Sequence, residues 1–290
     1  MSKKSFIISG PTASGKSDFA HALARRAGGT VINADSVQIY RGLEILSASP
    51  LPVTPGEDPG SHQYKLYSII NPGESMSAGI YAELAAKEYD AAAVPIFVGG
   101  TGFYLSALTR GFSTLPRISA ASRDAARAME NKHSELQKHD PAAAAKLHPN
   151  DIQRLSRALE IFIETGIPMS EWQRKPRMAM LSAAPLKIAV MPPREILLER
   201  AAKRRGLMLA NGAVEEVKKF INMDIQANGF REIAMWLRGE IGKEEMLRLW
   251  AISDAQYIKR QMTWLRTQFK ADIIIDHVPN EKDFENVCEK

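Results

Sequence analysis

Ser5-Phe6-Ile7-Ile8-Ser9-Gly10-Pro11-Thr12-Ala13-Ser14-Gly15-Lys16-Ser17 is the stretch that decides the fold. Ser5 to Ser9 is a short apolar run that stops at a glycine, the pattern of a buried strand. From Ser14 to Ala27, Phe19, Ala20 and Leu23 gather on one side of a helix. Between strand and helix lie a glycine, four residues and Gly-Lys-Ser, the phosphate-binding loop pattern in its required context. The glycines let the backbone curl round a phosphate with no Cβ in the way. Gly10, Pro11, Thr12, Ala13, Ser14, Gly15, Lys16 and Ser17 are therefore the candidate phosphate-binding residues. The helix start adds partial positive charge, Lys16 adds a full one, and the Ser17 hydroxyl is placed to ligate Mg²⁺. The motif identifies a diphosphate or triphosphate and leaves the reaction open.

Working outward, Val31-Ile32-Asn33-Ala34 reads as a second strand that ends at Asp35. Prolines and glycines accumulate from Gly42 to Ser75, which reads as loop with one short strand near Leu66. Ser77 to Ala92 is an alanine-rich helix. Val94 to Val98 is a third buried strand ending at Gly99-Gly100, and a helix carrying Phe103, Tyr104 and Leu108 begins near Thr101. Strands separated by helices imply a parallel sheet with helices on both faces, and ligands sit at the carboxyl ends of its strands. From Ser119 to about Arg177 the pattern is helical throughout. The sheet resumes at Leu186 to Val190. Helices are expected over Pro193 to Leu209, Ala213 to Ile221, Phe230 to Leu237 and Lys243 to Phe269, then a last strand at Ile273 to Ile275. The polar tail from Pro279 reads as loosely held. The fold class is α/β: a P-loop NTPase-like parallel sheet core flanked by helices, residues 1–115 and 180–290, with an inserted all-helical lobe over 116–179.

The 290 residues suffice for such a core and an extra lobe, and 45% hydrophobic with 24% charged residues is ordinary for a soluble globular chain. A net charge of +5 favours a polyanionic partner without deciding it. One cysteine, Cys288, rules out an internal disulfide framework and argues against a cysteine metal site. The apolar run Phe6-Ile7-Ile8 is too short for a signal peptide or membrane span, so a cytoplasmic protein with no membrane partner is the expectation. Monomer is the default. His62 and His148 have no partner spacing for a metal site. Trp236, Trp250 and Trp264 sit in helical patterns and read as core.

Nucleotide hydrolysis calls for an acid just after a buried strand on the metal side. The third strand ends in Gly99-Gly100-Thr101 instead, and Asp276 reads as a surface residue at a strand end. Asp35 either caps a short helix or accepts a proton from an attacking hydroxyl or amine. Its place beside the phosphate loop favours the second role.

Taken together, several segments resemble the tRNA dimethylallyltransferase (tRNA isopentenyltransferase) family. They are Gly10–Ser17, Asp35-Ser36-Val37-Gln38-Ile39-Tyr40 and Val98-Gly99-Gly100-Thr101-Gly102-Phe103-Tyr104. Two more are His148-Pro149-Asn150-Asp151 running on through Gln153-Arg154-Leu155-Ser156-Arg157-Ala158-Leu159-Glu160, and Lys259-Arg260-Gln261-Met262-Thr263-Trp264-Leu265-Arg266. They span nearly the whole chain in the family's order. The resemblance implies transfer of a dimethylallyl group from dimethylallyl diphosphate to N6 of the adenosine just 3′ of the anticodon, with Mg²⁺. It implies Asp35 as the base, Thr101 near the amine, and Lys16, Thr12 and Arg204 on the leaving diphosphate. It implies tRNA contacts from Asp35, Ser36, Val37, Gln38, Thr101 and Arg123, and from Gln153, Arg154, Leu155, Ser156 and Arg157, with 116–179 as the tRNA-binding lobe holding the anticodon stem-loop. Arg154 and Arg157 lie three apart and share a helix face.

The chain also departs from the family's usual pattern. Ser49 stands where a lysine is usual, and Gln63-Tyr64-Lys65-Leu66 replaces Pro-His-[His/Arg]-Leu. Gln226-Ala227-Asn228 stands for Lys-Ala-Ile, and Asp254-Ala255 for Thr-Arg. Several of these changes remove positive charge, which weakens phosphate contacts. Two rival readings stand beside the transferase: a small-molecule or nucleoside kinase, and a non-catalytic RNA-binding protein.

Overall fold

Phe6, Ile7 and Ile8 are all buried, so strand β1 (Phe6–Ser9) must have apolar cover on both faces and neighbours on both edges. It does. The computed structural model describes residues 3–51, 64–74, 76–111, 118–174 and 180–288. After β1 come α1 (Lys16–Ala27), β2 (Thr30–Asn33), β3 (Tyr64–Lys65), α2 (Ala78–Ala91), β4 (Pro95–Gly99) and α3 (Gly102–Arg110). Helices α4 (Ala120–Ala128), α5 (Lys132–His139), α6 (Pro141–Ala144), α7 (Ile152–Thr165) and α8 (Met169–Arg174) follow. The chain returns through β5 (Leu186–Val190), α9 (Arg194–Ala210), α10 (Ala213–Lys219), α11 (Phe230–Leu237), α12 (Lys243–Trp264), β6 (Ile273–Ile275) and α13 (Glu281–Cys288).

The six strands lie in the order β3-β2-β4-β1-β5-β6, and every pairing is parallel. Phe6 stands opposite Ile96 on one side and Leu186 on the other. Because β4 lies between β2 and β1, the carboxyl ends of β2, β4 and β1 form three adjacent positions along one edge of the sheet. The main core is Phe6, Ile8, Val31, Ile96, Val98, Ile188 and Val190 from the sheet against Phe19, Ala20 and Leu23 of α1. A second core gathers Leu43, Leu46, Val217, Phe230, Ile233, Met246 and Trp250. Trp250 is core, as expected, whereas Trp236 and Trp264 are only partly buried.

By internal contacts the chain divides into two units: Met1–Thr109 with Met180–Lys290, and Arg110–Ala179. The second unit packs Ala126, Leu136, Ala144, Leu155, Ala158 and Leu159 into a small core of its own. Asp140 caps α6 by accepting from the Ala143 N–H at 3.0 Å, and accepts from the Ser170 N–H at 2.8 Å, which ties α6 to α8. Asp151 caps α7 at the Arg154 N–H, 3.2 Å away.

Three expectations need correction. The long last helix stops at Trp264 and continues as one π-helical turn, Leu265–Phe269. The strand near Leu66 is only Tyr64–Lys65, because Leu66 itself turns to φ 62°. The tail from Pro279 is not loose. It forms α13, whose Val287 is fully buried and whose Phe284 stacks on Phe19 with ring centroids 4.5 Å apart. Polar composition hid the helix, since only two apolar side chains three residues apart anchor it. His62, Gln63 and residues 175–177 lie outside the described residues.

Phe284→Ala is expected to lower stability by about 2 kcal/mol, the scale of a partly buried aromatic truncated to a methyl group. Urea unfolding measures this, and an unchanged midpoint would mean that α13 does not hold α1.

Candidate active site

The site begins with how closely three strand ends approach. A Cβ on Gly99 would stand 2.1 Å from the Ala34 carbonyl oxygen, and one on Gly100 would stand 2.2 Å from Gln261 Nε2. Side chains are therefore excluded at the end of β4, and the backbones on either side close in. Ser9 Oγ donates to the Gly99 carbonyl at 3.0 Å, and the Thr101 N–H donates to the Ala34 carbonyl at 3.3 Å. Thr101 Oγ1 then accepts from the Ser36 N–H at 2.9 Å and donates to Ser36 Oγ at 3.2 Å. These bonds fix the segment that carries Asp35.

Asn33 aims that segment. It is fully buried; its Oδ1 accepts from the Asp35 N–H at 2.8 Å, and its Nδ2 donates to the carbonyls of Asp35 and Leu66, each at 3.0 Å. Asp35 Oδ1 accepts from the Val37 N–H at 2.9 Å, an Asx-type turn that leaves Oδ2 with no partner among the described residues. Gln38 Nε2 donates to the carbonyls of Ser47 and Ala48, at 3.1 and 2.9 Å, and so pins the loop behind it.

The phosphate loop is a curled run of amides. Ala13 and Gly15 both have positive φ, 65° and 91°, and the Ser14 N–H donates back to the Pro11 carbonyl at 3.2 Å. Such alternation points successive N–H groups inward as an anion nest. For Ala13 the left-handed backbone is strained, of order 1 kcal/mol. Lys16 Nζ lies 3.3 Å from the Pro11 carbonyl. Arg200 Nε donates to the Ala13 carbonyl at 2.8 Å, and Arg204, one turn further along α9, donates to Thr12 Oγ1. The Thr12 N–H donates to Gln261 Oε1 at 2.8 Å, while Gln261 Nε2 reaches the Gly100 carbonyl at 3.2 Å. Gln261 thus ties the loop to the end of β4.

Burial pulls the Lys16 ammonium down to about 8; the Asp35 carboxylate opposes this, and Arg204 adds to it. Burial likewise lowers Arg204, with Asp254 and Asp35 acting against it. Asp35 is therefore in the same electrostatic neighbourhood as both cations. A cavity of about 610 Å³ opens beside them, lined among others by Thr12, Asp35, Arg204, Asn228, Tyr257 and Arg260. The hydroxyl of Tyr257 is held protonated by burial.

The IPP transferase family model matches residues 38–268 of the chain, and the isopentenyl transferase model matches residues 3–54. The chain belongs to the IPP transferase family. The tRNA dimethylallyltransferase of Rhodopseudomonas palustris strain TIE-1 is 39% identical over 280 residues, covering 90% of this chain and 92% of its own. The solved tRNA isopentenylpyrophosphate transferase of Bacillus halodurans superposes with a TM-score of 0.65 at 31% identity, over 99% of this chain and 95% of that one. A eukaryotic dimethylallyltransferase captured acting on tRNA superposes with a TM-score of 0.77 at 25% identity, over 95% of this chain and 74% of that one.

For a member of this transferase family, the chain's candidate residues fall in two places. Gly10 to Ser17, Asp35 to Gln38, Thr101 and Arg204 are all in the sheet unit, and Thr12, Asp35, Ser36, Val37 and Arg204 line the cavity together. Arg123, Gln153, Arg154, Ser156 and Arg157 are in the helical unit. There Arg154 is 74% exposed and 3.1 Å from Asp151, and Arg157 is 3.0 Å from Glu160. Leu155 differs: it is fully buried in that unit's core, so the side-chain contact to tRNA expected of it is corrected to a packing role.

Sequence reasoning missed Asn33, Gln261 and Tyr257 as parts of the site. Asn33 was visible as a polar residue inside an otherwise apolar strand. Asp276 is exposed at the end of β6, as expected, and pairs with His277 at 3.1 Å. His148 accepts from the Asn150 N–H and is local to its turn. Among the charge-losing departures, Ser49 Oγ accepts from the Leu51 N–H, and Gln226 donates to Asp224 in the cavity wall.

The Ser17 hydroxyl fits a Mg²⁺ role. It lies half-buried in the first turn of α1 with no hydrogen-bond partner among the described residues. Among those residues no cluster of three metal-ligating side chains exists, so the remaining ligands would be diphosphate oxygens and water.

The Lys16 shift has a signed consequence. Between pH 8 and 10.5 the folded state has lost this proton while the unfolded chain still binds it, so stability contributed at Lys16 rises with pH. Below that window the folded protein bears the cost of a charged, desolvated ammonium. Lys16→Met is expected to be more stable than the parent near about pH 7, with the gap closing as pH rises through the window. Urea midpoints measured across pH check it, and a constant gap would contradict the burial of this charge.

Proposed function

We propose that this chain transfers the dimethylallyl group of dimethylallyl diphosphate to N6 of the adenosine just 3′ of the tRNA anticodon, position 37, releasing diphosphate. The observation that carries the reading is the pairing of an aspartate with a cationic anion nest on opposite sides of one strand end. Asp35 closes β2, the nest closes β1, and β4 between them ends in Gly99-Gly100-Thr101 with no acid. Two strand spacings are about 10 Å, room for an amine and the reacting carbon between base and leaving group.

In this mechanism the donor's diphosphate lies on the amides of the nest. Lys16, Arg204 and the Thr12 hydroxyl take up its growing negative charge, the fixed electrostatic stabilisation that lowers barriers most. The adenine N6 attacks C1 of the donor. The C1–O bond breaks with its electron pair going to diphosphate, and Asp35 accepts the N6 proton. Thr101, through Ser36, keeps that carboxylate in place. Ser17 would hold Mg²⁺, which would supply further neutralisation of the diphosphate. The target adenine is everted from the anticodon loop at a cost of a few kcal/mol, offset by contacts to the base. The helical unit, residues 116–179 in the proposal, grips the anticodon stem-loop through Arg123, Gln153, Arg154, Ser156 and Arg157. The enzyme works as a cytoplasmic monomer; no helix among the described residues is long and apolar enough to cross a membrane.

Incubation with dimethylallyl diphosphate, Mg²⁺ and unmodified tRNA tests the reading directly. A prenylated adenine supports it, ADP release from ATP with a small acceptor favours a kinase, and tRNA binding without product favours an RNA-binding protein. Asp35→Ala is expected to lower turnover by roughly 10²–10⁴-fold with tRNA affinity little changed; retained turnover would remove Asp35 as the base. Arg157→Ala is expected to weaken tRNA binding and reduce its salt slope by about one phosphate. An unchanged slope would place RNA elsewhere.

A further inference from the structure

Two polar side chains far apart in the chain, with an arginine beside them, meet in the sheet unit. Asn228 Nδ2 donates to Asp254 Oδ1 at 3.0 Å, and Arg205 donates to Asp254 Oδ2 at 2.6 Å. Asp254 is 3% exposed. A buried carboxylate carries a desolvation cost of several kcal/mol, and apolar replacements of such pairs are often no less stable. Stability alone therefore does not account for it; the best-attested use of a buried polar set is to fix register.

The register at stake is that of α9 on α12. Their shared seam is small and apolar: Leu197 and Ala201 from α9, Ile258 and Met262 from α12. Arg205 continues the α9 spacing of four, and Asp254 continues that of α12 in the opposite direction. The polar pair thus closes the seam at one end. Arg204, next to Arg205, reaches Thr12 in the nest, and Arg200 reaches the Ala13 carbonyl. A slide of one helical turn, about 5.4 Å, would take both arginines off the nest. The Asn228 side is pinned as well. Its neighbour Gly229 has φ 89°, and a Cβ there would stand 2.3 Å from the Trp250 indole, one turn before Asp254 on α12.

We infer that Asp254 is a positioning residue for the diphosphate clamp: by holding Arg205 and Asn228 it sets α9 against α12 and keeps Arg204 over Thr12. The inference rests on the proposed function only in taking the nest to bind diphosphate. Asp254 is not among the residues that line the cavity, so its removal acts through Arg204: donor KM rises and kcat falls, while tRNA KM holds.

Titration of inorganic diphosphate with Mg²⁺ into the parent, Asp254→Ala, Arg204→Ala and the double variant tests it. Asp254→Ala is expected to weaken binding on the order of 10-fold, with no further loss when added to Arg204→Ala. Should Asp254→Ala fail to fold, Asp254→Asn keeps the shape and one acceptor oxygen for Arg205, with its NH2 turned to the Asn228 side-chain carbonyl, and is expected to show a smaller, roughly 3-fold loss with the same non-additivity. Unchanged affinity with only a lower melting temperature, or independent losses in the double variant, overturns the inference and leaves the nest intact. A parent that does not bind diphosphate overturns the nest and the inference together.

Discussion

Three parallel strand ends meet with no side chain between them, and that close approach is what the site depends on. With Gly99 against the Ala34 carbonyl and Gly100 against Gln261, the peptide planes at the ends of β2, β4 and β1 stand as neighbours. A single methyl group at Gly99 would push β2 outward and carry Asp35 away from the nest. The sheet's register then supplies the rest: Asn33 opposite Val98 and Ser9 opposite Gly99 put the acid and the nest at one level. Rigid strands, more than loops, hold the spacing of the Asp35 carboxylate and the nest.

The site is expensive to fold. Ala13 sits in the left-handed region, Lys16 is desolvated, and the Arg204 guanidinium is enclosed beside it. The core beneath, Phe6, Ile8, Val98 and Ile188 packed against Phe19 and Leu23, offsets that cost. Lys16 and Arg204 also repel one another, with Asp35 as the nearby counter-charge. An incoming diphosphate relieves that repulsion, so the same electrostatics that destabilise the empty cradle favour the anion.

Much of this was legible in the residues. The apolar run before Gly10 and the Gly-Lys-Ser after it placed strand, nest and helix, and the apolar runs at Val31, Val94, Leu186 and Ile273 placed the other main strands. Asp35 could be read because it follows one of those runs directly. What escaped reading depends on distance in the chain or on sparse signals. Gln261 lies 249 residues from Thr12, and no local pattern announces their bond. The last helix carries so few apolar side chains that its polar residues dominated the reading. Leu155 sits between Arg154 and Arg157, yet helical spacing turns it inward. The Asn228–Asp254 contact looked like two unrelated changes until the fold brought them 3.0 Å apart.

The most direct measurement is a crystal structure of the protein with a non-hydrolysable thiolo analogue of dimethylallyl diphosphate and an anticodon stem-loop. The account predicts diphosphate density on the amides from Thr12 to Ser17, with an everted adenine whose N6 lies within hydrogen-bonding reach of Asp35. Diphosphate seated away from those amides, or an adenine facing some other residue while Asp35 points to solvent, would contradict it.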